Sequence, residues 1–152
     1  MRAEDMVDEF PIVDLDLPAR EAVRLIAERR LSGLVVADHT RSRAVAVLPA
    51  SQVVRFLVPG YVQDDPGLAG VLTESMADHA ADKLRGKTIR DLLPPKRERV
   101  PVVDADDTII EMAETMSRMH SPLVTVIKNG RLHGVITAAS LLAEALKQRV
   151  GT

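Results

Sequence analysis

The chain carries an internal duplication, and this feature constrains its fold more than any other. The segment FPIVDLD at 10–16 recurs as VPVVDAD at 100–106, an offset of 90 residues, with four of the seven positions identical. Further along, residues 44–48 correspond to residues 132–136, because the first copy has two extra residues in its turn. Two repeats of this length indicate a duplicated unit with pseudo-two-fold symmetry rather than a solenoid.

Both repeats show the same order of predicted elements. A short strand ends at Asp-x-Asp, and its carboxylates are expected to cap the helix that follows. Apolar residues at helical spacing predict that helix, and two β-rich runs come next. In the second repeat the runs are joined by Asn129-Gly130, a strong hairpin signal. An apolar helix closes each repeat, so the unit is β-α-β-β-α and the fold class is α/β (α+β). The predicted strands are 12–13, 33–37, 44–48, 102–103, 123–127 and 132–136, and the predicted helices are 19–30, 51–58, 109–119 and 139–150.

The domain organisation follows from the duplication. We expect a first repeat at 1–58, a linker at 59–86 and a second repeat at 87–150. Helical spacing of apolar residues predicts an amphipathic helix over 67–85, which Gly86 ends. Residues 88–94 lead into the second repeat much as residues 3–7 lead into the first.

Composition excludes several classes of protein. Hydrophobic residues make up 46% of the chain and the net charge is only −2, so the chain is not intrinsically disordered. The lack of cysteine excludes disulfides, thiol nucleophiles and zinc fingers, and it fits the cytoplasmic location that we expect. No apolar run is long enough to span a bilayer. Three aromatic residues and no basic stripe argue against nucleic-acid binding. We therefore expect neither a membrane nor a nucleic-acid partner.

The order, spacing and duplication of these elements resemble the cystathionine-β-synthase (CBS) domain, and two copies resemble a tandem CBS pair, or Bateman module. The segments VVDADDTIIEMAETM (102–116) and GRLHGVITAASLL (130–142) carry the resemblance best. The first copy matches through VDLDLPAREAVRLIAERRLSGLVVAD (13–38). The resemblance implies two units packed through their sheets. It also implies clefts that often bind AMP, ADP, ATP or S-adenosylmethionine as regulatory ligands, with no cofactor required.

The closing hairpin of the family reads roughly Gly-x-(hydrophobic)₂-Thr-x-x-Asp, in which Thr holds phosphate and Asp binds the ribose. Here Thr137 is kept but Ser140 replaces Asp, while the first repeat has Pro49 and Gln52 at these positions. Loss of a charged hydrogen bond costs about 1.5–3 kcal/mol, or roughly ten- to a hundredfold in affinity. We therefore expect a weakened site in the second repeat and a degenerate one in the first.

The resemblance assigns candidate ligand contacts to both repeats. Since no repeat-matched aromatic residue is present, adenine is expected between aliphatic side chains such as Val103 and Ile136. In the second repeat the candidates are Arg99, Val102, Val103, His120, Ser121, Pro122, Ile136, Thr137 and Ser140. In the first they are Ile12, Val13, Ser32, Pro49 and Gln52.

Two functions remain open on the sequence. The first is a stand-alone, homodimeric regulatory module, in which a ligand in the inter-repeat cleft shifts a conformational equilibrium that a partner protein reads. The alternative is a ligand-free interaction or dimerisation module with degenerate nucleotide sites. We expect no enzyme and no catalytic residue, because no nucleophile–base set is visible. We also expect no metal site, since Asp78, His79 and Asp82 lack a further ligand at suitable spacing.

Overall fold

The elements of the protein follow the predicted β-α-β-β-α order twice. The computed structural model describes residues 1–58, 62, 64, 65, 67, 76–96 and 99–150. A short 3-10 helix (Ala3–Asp5) precedes β1 (Ile12–Asp14), α1 (Ala19–Arg29), β2 (Gly33–Ala37), β3 (Ala44–Pro49) and α2 (Ala50–Leu57). Then come α3 (Met76–Leu84), α4 (Ile89–Leu92), β4 (Val102–Asp104), α5 (Ile109–Met119), β5 (Leu123–Lys128), β6 (Arg131–Thr137) and α6 (Ala138–Val150). The α/β fold class is confirmed.

Each repeat contributes a three-stranded sheet, in the orders β1-β2-β3 and β4-β5-β6. In the second sheet β4 runs parallel to β5, and β6 runs antiparallel to β5. The tight turn between β5 and β6 has positive φ at both Asn129 (53°) and Gly130 (72°). This is the backbone that a two-residue hairpin turn requires, and Asn-Gly adopts it at low cost. The hairpin prediction is confirmed.

The prediction that the Asp-x-Asp aspartates cap the first helix of each repeat is wrong. The cap of α5 is Thr108, whose hydroxyl accepts from the Glu111 N–H at 3.3 Å. The Glu111 carboxylate in turn accepts from the Thr108 N–H at 3.2 Å, a reciprocal capping box. Asp104 lies too early, because a turn in which the Asp107 N–H donates to its carbonyl separates it from the helix. In the first repeat α1 follows Pro18, with no side-chain cap.

The linker helix is described only in its second half. It runs as α3 over Met76–Leu84, while the predicted residues 68–75 lie outside the described part of the chain. Gly86 follows with φ 71°, a left-handed backbone that favours glycine after a helix. The predicted end of this helix is confirmed.

The chain forms two compact units, and each combines separate stretches of sequence. Unit 1 comprises Met1–Ile12, Val35–Ala46 and Glu98–Thr152, and unit 2 comprises Val13–Leu34 and Val47–Arg97. The core of unit 1 is aliphatic and is built from β4, β5, β6 and the helices beside them. Its buried residues are Ala3, Met6, Val103, Ala105, Met112, Met116, Val124, Val126, Ile136 and Leu141.

The N-terminal arm (residues 1–8) completes unit 1 by packing on the second repeat. The Ala3 N–H donates to the Asp107 carbonyl at 2.9 Å, and the Glu4 N–H donates to the Ala105 carbonyl at 3.0 Å. The Ala3 side chain is fully buried. The arm is therefore part of the fold of the second repeat, although about a hundred residues separate the two along the chain.

The second arm (residues 88–93) makes the corresponding contacts in unit 2. The Ile89 N–H donates to the Leu17 carbonyl at 3.0 Å, and the Arg90 N–H donates to the Leu15 carbonyl at 3.2 Å. Ile89 and Leu92 are fully buried. In each unit, therefore, an arm from one part of the sequence covers the repeat from another.

Candidate functional site

The predicted contacts of the second repeat gather at one end of the second sheet. Val102 at the start of β4 pairs with Thr125 of β5, and Thr137 at the end of β6 pairs with Leu123 at the start of β5. Helix α6 begins at the same end, where the Ala138 N–H donates to the carbonyl of Pro122 at 2.8 Å. The strand starts, the turn before β5 and the start of α6 thus share one edge of unit 1.

Thr137 and Ser140 form a polar cluster at this edge, and Asp8 of the N-terminal arm joins it. The Asp8 Oδ2 accepts from the Thr137 N–H at 3.0 Å and lies 3.2 Å from the Thr137 hydroxyl. The Asp8 Oδ1 accepts from the Ser140 hydroxyl at 2.6 Å. All three groups are partly buried, and the two hydroxyl oxygens lie 3.2 Å apart. A carboxylate therefore stands beside the position where the family pattern has aspartate and this chain has serine.

The backbone of the arm and a glycine of β6 hold Asp8 in place. The Asp8 N–H donates to the Val135 carbonyl at 2.8 Å, as an isolated bridge to β6. Val7 lies directly over Gly134, so a Cβ added to Gly134 would overlap the Cγ1 of Val7. Because Gly134 has no side chain, the arm can approach the strand closely enough for the Asp8 carboxylate to reach Thr137 and Ser140.

The turn before β5 contains three more of the predicted contacts. His120 ends α5 with a left-handed backbone, φ 49°, and its side chain is exposed. The Ser121 hydroxyl donates to the Leu123 carbonyl at 2.7 Å and accepts from the Leu123 N–H at 3.3 Å. Pro122 is exposed. His120 and Pro122 thus face solvent, whereas the Ser121 hydroxyl is already hydrogen-bonded to the backbone of the turn.

The aliphatic candidates differ in exposure. Val103 and Ile136, which were expected to enclose adenine, belong to the core, with 3% and 0% of their surface exposed. Val102 is 52% exposed, because successive residues of a strand point to opposite faces. Val102 is therefore the candidate that presents apolar surface at this edge.

The predicted positions of the first repeat are described within their own units. Ile12 belongs to unit 1 and is half-buried, while Val13, also half-buried, belongs to unit 2. In unit 2, Pro49 precedes α2 and is exposed, as is Ser32, whose carbonyl accepts from the Ala50 N–H.

Gln52 stands in the first repeat where the family pattern has aspartate, and its amide contacts the second arm. Its Nε2 donates to the Leu92 carbonyl at 3.2 Å. Ser140, the corresponding residue of the second repeat, is bound by the N-terminal arm through Asp8. In both repeats, therefore, the residue that replaces the family aspartate contacts an arm.

The cations that flank the hairpin turns contact the chain itself. The Arg131 guanidinium donates to the Thr40 carbonyl at 3.3 Å, and the Arg41 guanidinium donates to the Ile12 carbonyl at 3.4 Å. Lys128 lies 2.8 Å from the Glu4 carboxylate. The hydrogen bond to Glu4 and its negative charge raise the pKa of Lys128. Arg99, predicted as a phosphate partner, is exposed.

Asp8 is the site residue that sequence reasoning missed. Two signals pointed to it. The family pattern has an aspartate where this chain has Ser140, so a carboxylate from another part of the chain could be expected nearby. Aligning residues 3–7 with residues 89–93 also sets Asp8 opposite Pro94, so that this position holds a carboxylate after one arm helix and none after the other.

Two β-α-β-β-α repeats, each with its own three-stranded sheet and a closing helix, define a paired α/β module. The sequence model of the CBS domain matches residues 3–59 and again residues 88–147. The chain belongs to the CBS-domain family and carries a tandem pair, as its sequence predicted. No curated protein sequence matches it. None of the described helices is long and apolar enough to cross a membrane.

Solved structures share this fold over nearly the full chain. A CBS domain-containing protein of unknown function from Kribbella flavida is 55% identical, with a TM-score of 0.91, covering 96% of this chain and 99% of that one. CBSX2 from Arabidopsis thaliana is 17% identical, with a TM-score of 0.70 and coverage of 97% and 96%. A CBSX2 structure in complex with AMP is 19% identical, with a TM-score of 0.66 and coverage of 97% and 98%. At these two lower identities the likeness is one of fold.

Proposed function

We propose that this CBS pair is a non-catalytic regulatory module that binds an adenosine-type ligand in its second repeat. In this proposal the two repeats at 1–58 and 87–150 are joined by the linker at 59–86. The observation that carries it is the polar cluster of Thr137 and Ser140, which lies at the same end of the second sheet as the exposed apolar side chain of Val102. Binding sites commonly combine a few convergent polar groups with apolar surface.

The regulatory effect follows from the contact between this cluster and the N-terminal arm. A ligand that touches Thr137 or Ser140 also meets the Asp8 carboxylate, which bonds both residues. The ligand therefore changes the free energy with which the N-terminal arm binds to the second repeat. A ligand shifts a conformational equilibrium only by its difference in affinity for the two states, and the arm contact supplies such a difference.

The test is a thermal-shift series with adenosine, AMP, ADP, ATP and S-adenosylmethionine. A ligand at a hundred times its dissociation constant adds about 2.7 kcal/mol, or about 5–10 °C for a chain of this size. Thr137→Val removes the hydroxyl and should abolish the shift. Thr115→Val is the matched control, since its hydroxyl donates to the Glu111 carbonyl within α5, and it should keep the full shift.

The second candidate is a ligand-free module for homodimerisation or for contact with a partner protein. Two observations favour it. Gln52 and Ser140 are both engaged by arms. In addition, Val54 on α2 and Leu142 on α6, at corresponding positions of the two repeats, are 55% and 63% exposed. If none of the five ligands shifts the transition at millimolar concentration while light scattering gives a dimer, this second function replaces the first.

A further inference from the structure

We propose that Asp8 sets the ligand class of the second repeat. In this inference, which rests on the proposed function, the carboxylate turns the Thr137–Ser140 cluster from a donor site for phosphate into an acceptor site for hydroxyl groups. The ligand is then a neutral or cationic adenosyl compound, such as a nucleoside, and it carries no phosphate at this edge.

A phosphate at this edge needs hydrogen-bond donors. The cluster offers the Thr137 N–H, the Thr137 hydroxyl and the Ser140 hydroxyl, and all three lie within 3.2 Å of an Asp8 oxygen. A hydroxyl has a single proton to donate. A phosphate oxygen at this position would therefore find the donors already used, and it would stand beside a like charge.

The cations of the β5–β6 hairpin do not offset this repulsion, because Lys128 and Arg131 lie at the opposite end of these strands from Thr137. The predicted phosphate partner, Arg99, is exposed. Helix α6 contributes its N-terminal dipole, but the Ala138 N–H is used by the Pro122 carbonyl and the Thr137 N–H by Asp8.

The Asp8 carboxylate keeps acceptor capacity for a ligand. A carboxylate has about four lone-pair sites. Asp8 uses at most three of them, for the Thr137 N–H and the two hydroxyls. At least one lone-pair site of the carboxylate therefore remains to accept a ribose hydroxyl in a charged hydrogen bond, whereas Ser140 offers only a neutral hydroxyl.

The two repeats differ in this respect. The residue that corresponds to Asp8 is Pro94, directly after the second arm, and it has neither a carboxylate nor an N–H. Gln52 offers only its amide, and that amide donates to the Leu92 carbonyl. The carboxylate supplied by an arm is thus a feature of the second repeat, which is where we assign the ligand.

The experiment is isothermal titration of adenosine and of AMP into the full chain and three variants. The wild type should bind adenosine at least about tenfold more tightly than AMP, since a charged hydrogen bond is worth about ten- to a hundredfold in affinity. Asp8→Asn removes the charge at similar size. It should weaken adenosine about tenfold and strengthen AMP by a similar factor.

Two further variants separate charge at the site from other effects. Glu9→Gln removes one negative charge from the neighbouring, exposed position and should change neither affinity. Ser140→Ala removes one hydrogen bond to Asp8 but leaves the carboxylate, so adenosine should still bind more tightly than AMP. This second variant keeps the test valid if Asp8→Asn releases the arm, which the unliganded melting temperature would reveal.

The possible failures can be told apart. Equal affinity of the wild type for adenosine and AMP, with no change in Asp8→Asn, overturns the role of Asp8 and leaves the proposed function intact. If no adenosine-type ligand binds to any of the four proteins, the proposed function fails, and this inference fails with it.

Discussion

Gly134 of β6 is the position at which the structure makes its sharpest prediction about stability. An added Cβ there would overlap the Val7 Cγ1 and lie 3.2 Å from the Val7 Cβ. Overpacking of this kind typically costs about 1–3 kcal/mol. Alanine in a strand recovers about 0.5–1 kcal/mol relative to glycine. We therefore expect Gly134→Ala to lower the free energy of unfolding by about 0.5–2 kcal/mol.

Val7→Ala supplies the second half of the test. It removes two methyl groups from a half-buried side chain, and at about 0.8 kcal/mol per fully buried methyl this loss amounts to about 1 kcal/mol. It also removes the atom that the new Cβ would overlap. In the Val7→Ala background, Gly134→Ala should therefore be close to neutral, which corresponds to a coupling energy of about 1–2 kcal/mol.

Urea denaturation of the four proteins in this double-mutant cycle measures the coupling. Gly33→Ala is the control glycine, because its Cβ would meet the Leu48 carbonyl oxygen at 2.7 Å, a backbone contact that no side-chain truncation relieves. Sites that do not interact add to within about 0.5 kcal/mol. Additivity between Val7→Ala and Gly134→Ala would refute the packing of the arm on β6.

Two further predictions concern a helix cap and an ion pair. Thr108→Ala should destabilise the protein by about 0.5–2 kcal/mol in urea denaturation, because it removes the hydroxyl that caps α5, and an unchanged midpoint would contradict that role. Glu4→Gln should lower the pKa of Lys128, which Glu4 now raises above its ordinary value of 10.5. The Lys128–Glu4 ion pair stabilises the fold below pH 10.5, the ordinary lysine pKa. This stabilisation is lost as the pH rises through the raised pKa of Lys128. An NMR titration of the Lys128 side chain measures its pKa in the wild type and in Glu4→Gln. Equal values in these two proteins would rule out the ion pair.

Local patterns predicted the secondary structure well. The helix at Ile109–Met119 and the strand at Gly33–Ala37 have the predicted bounds, since each has a clear apolar period and ends at a distinct signal. The capping prediction failed at the Asp-x-Asp segments. Asp104 participates in a turn instead, and a turn and a helix cap favour the same side chains.

The polar cluster was only half predictable. Thr137 and Ser140 lie three residues apart, at the end of β6 and the start of α6, so the family pattern located them. Asp8 reaches them from the far end of the sequence, and no local period records that contact. The burial of Val103 and Ile136 was equally hidden, because a strand sequence does not tell which of its faces the rest of the chain covers.

The origin of each arm has a consequence for the order in which the protein forms during synthesis. Residues of unit 2 run no further than Arg97, so both of its stretches have been made before the second repeat is complete. Unit 1 is different, since Asp8 finds its partner Ser140 only after the 132 residues that separate them have been made. The N-terminal arm therefore cannot bind its partners until the second repeat has been made. Such long-range closure is slow compared with helix or hairpin formation.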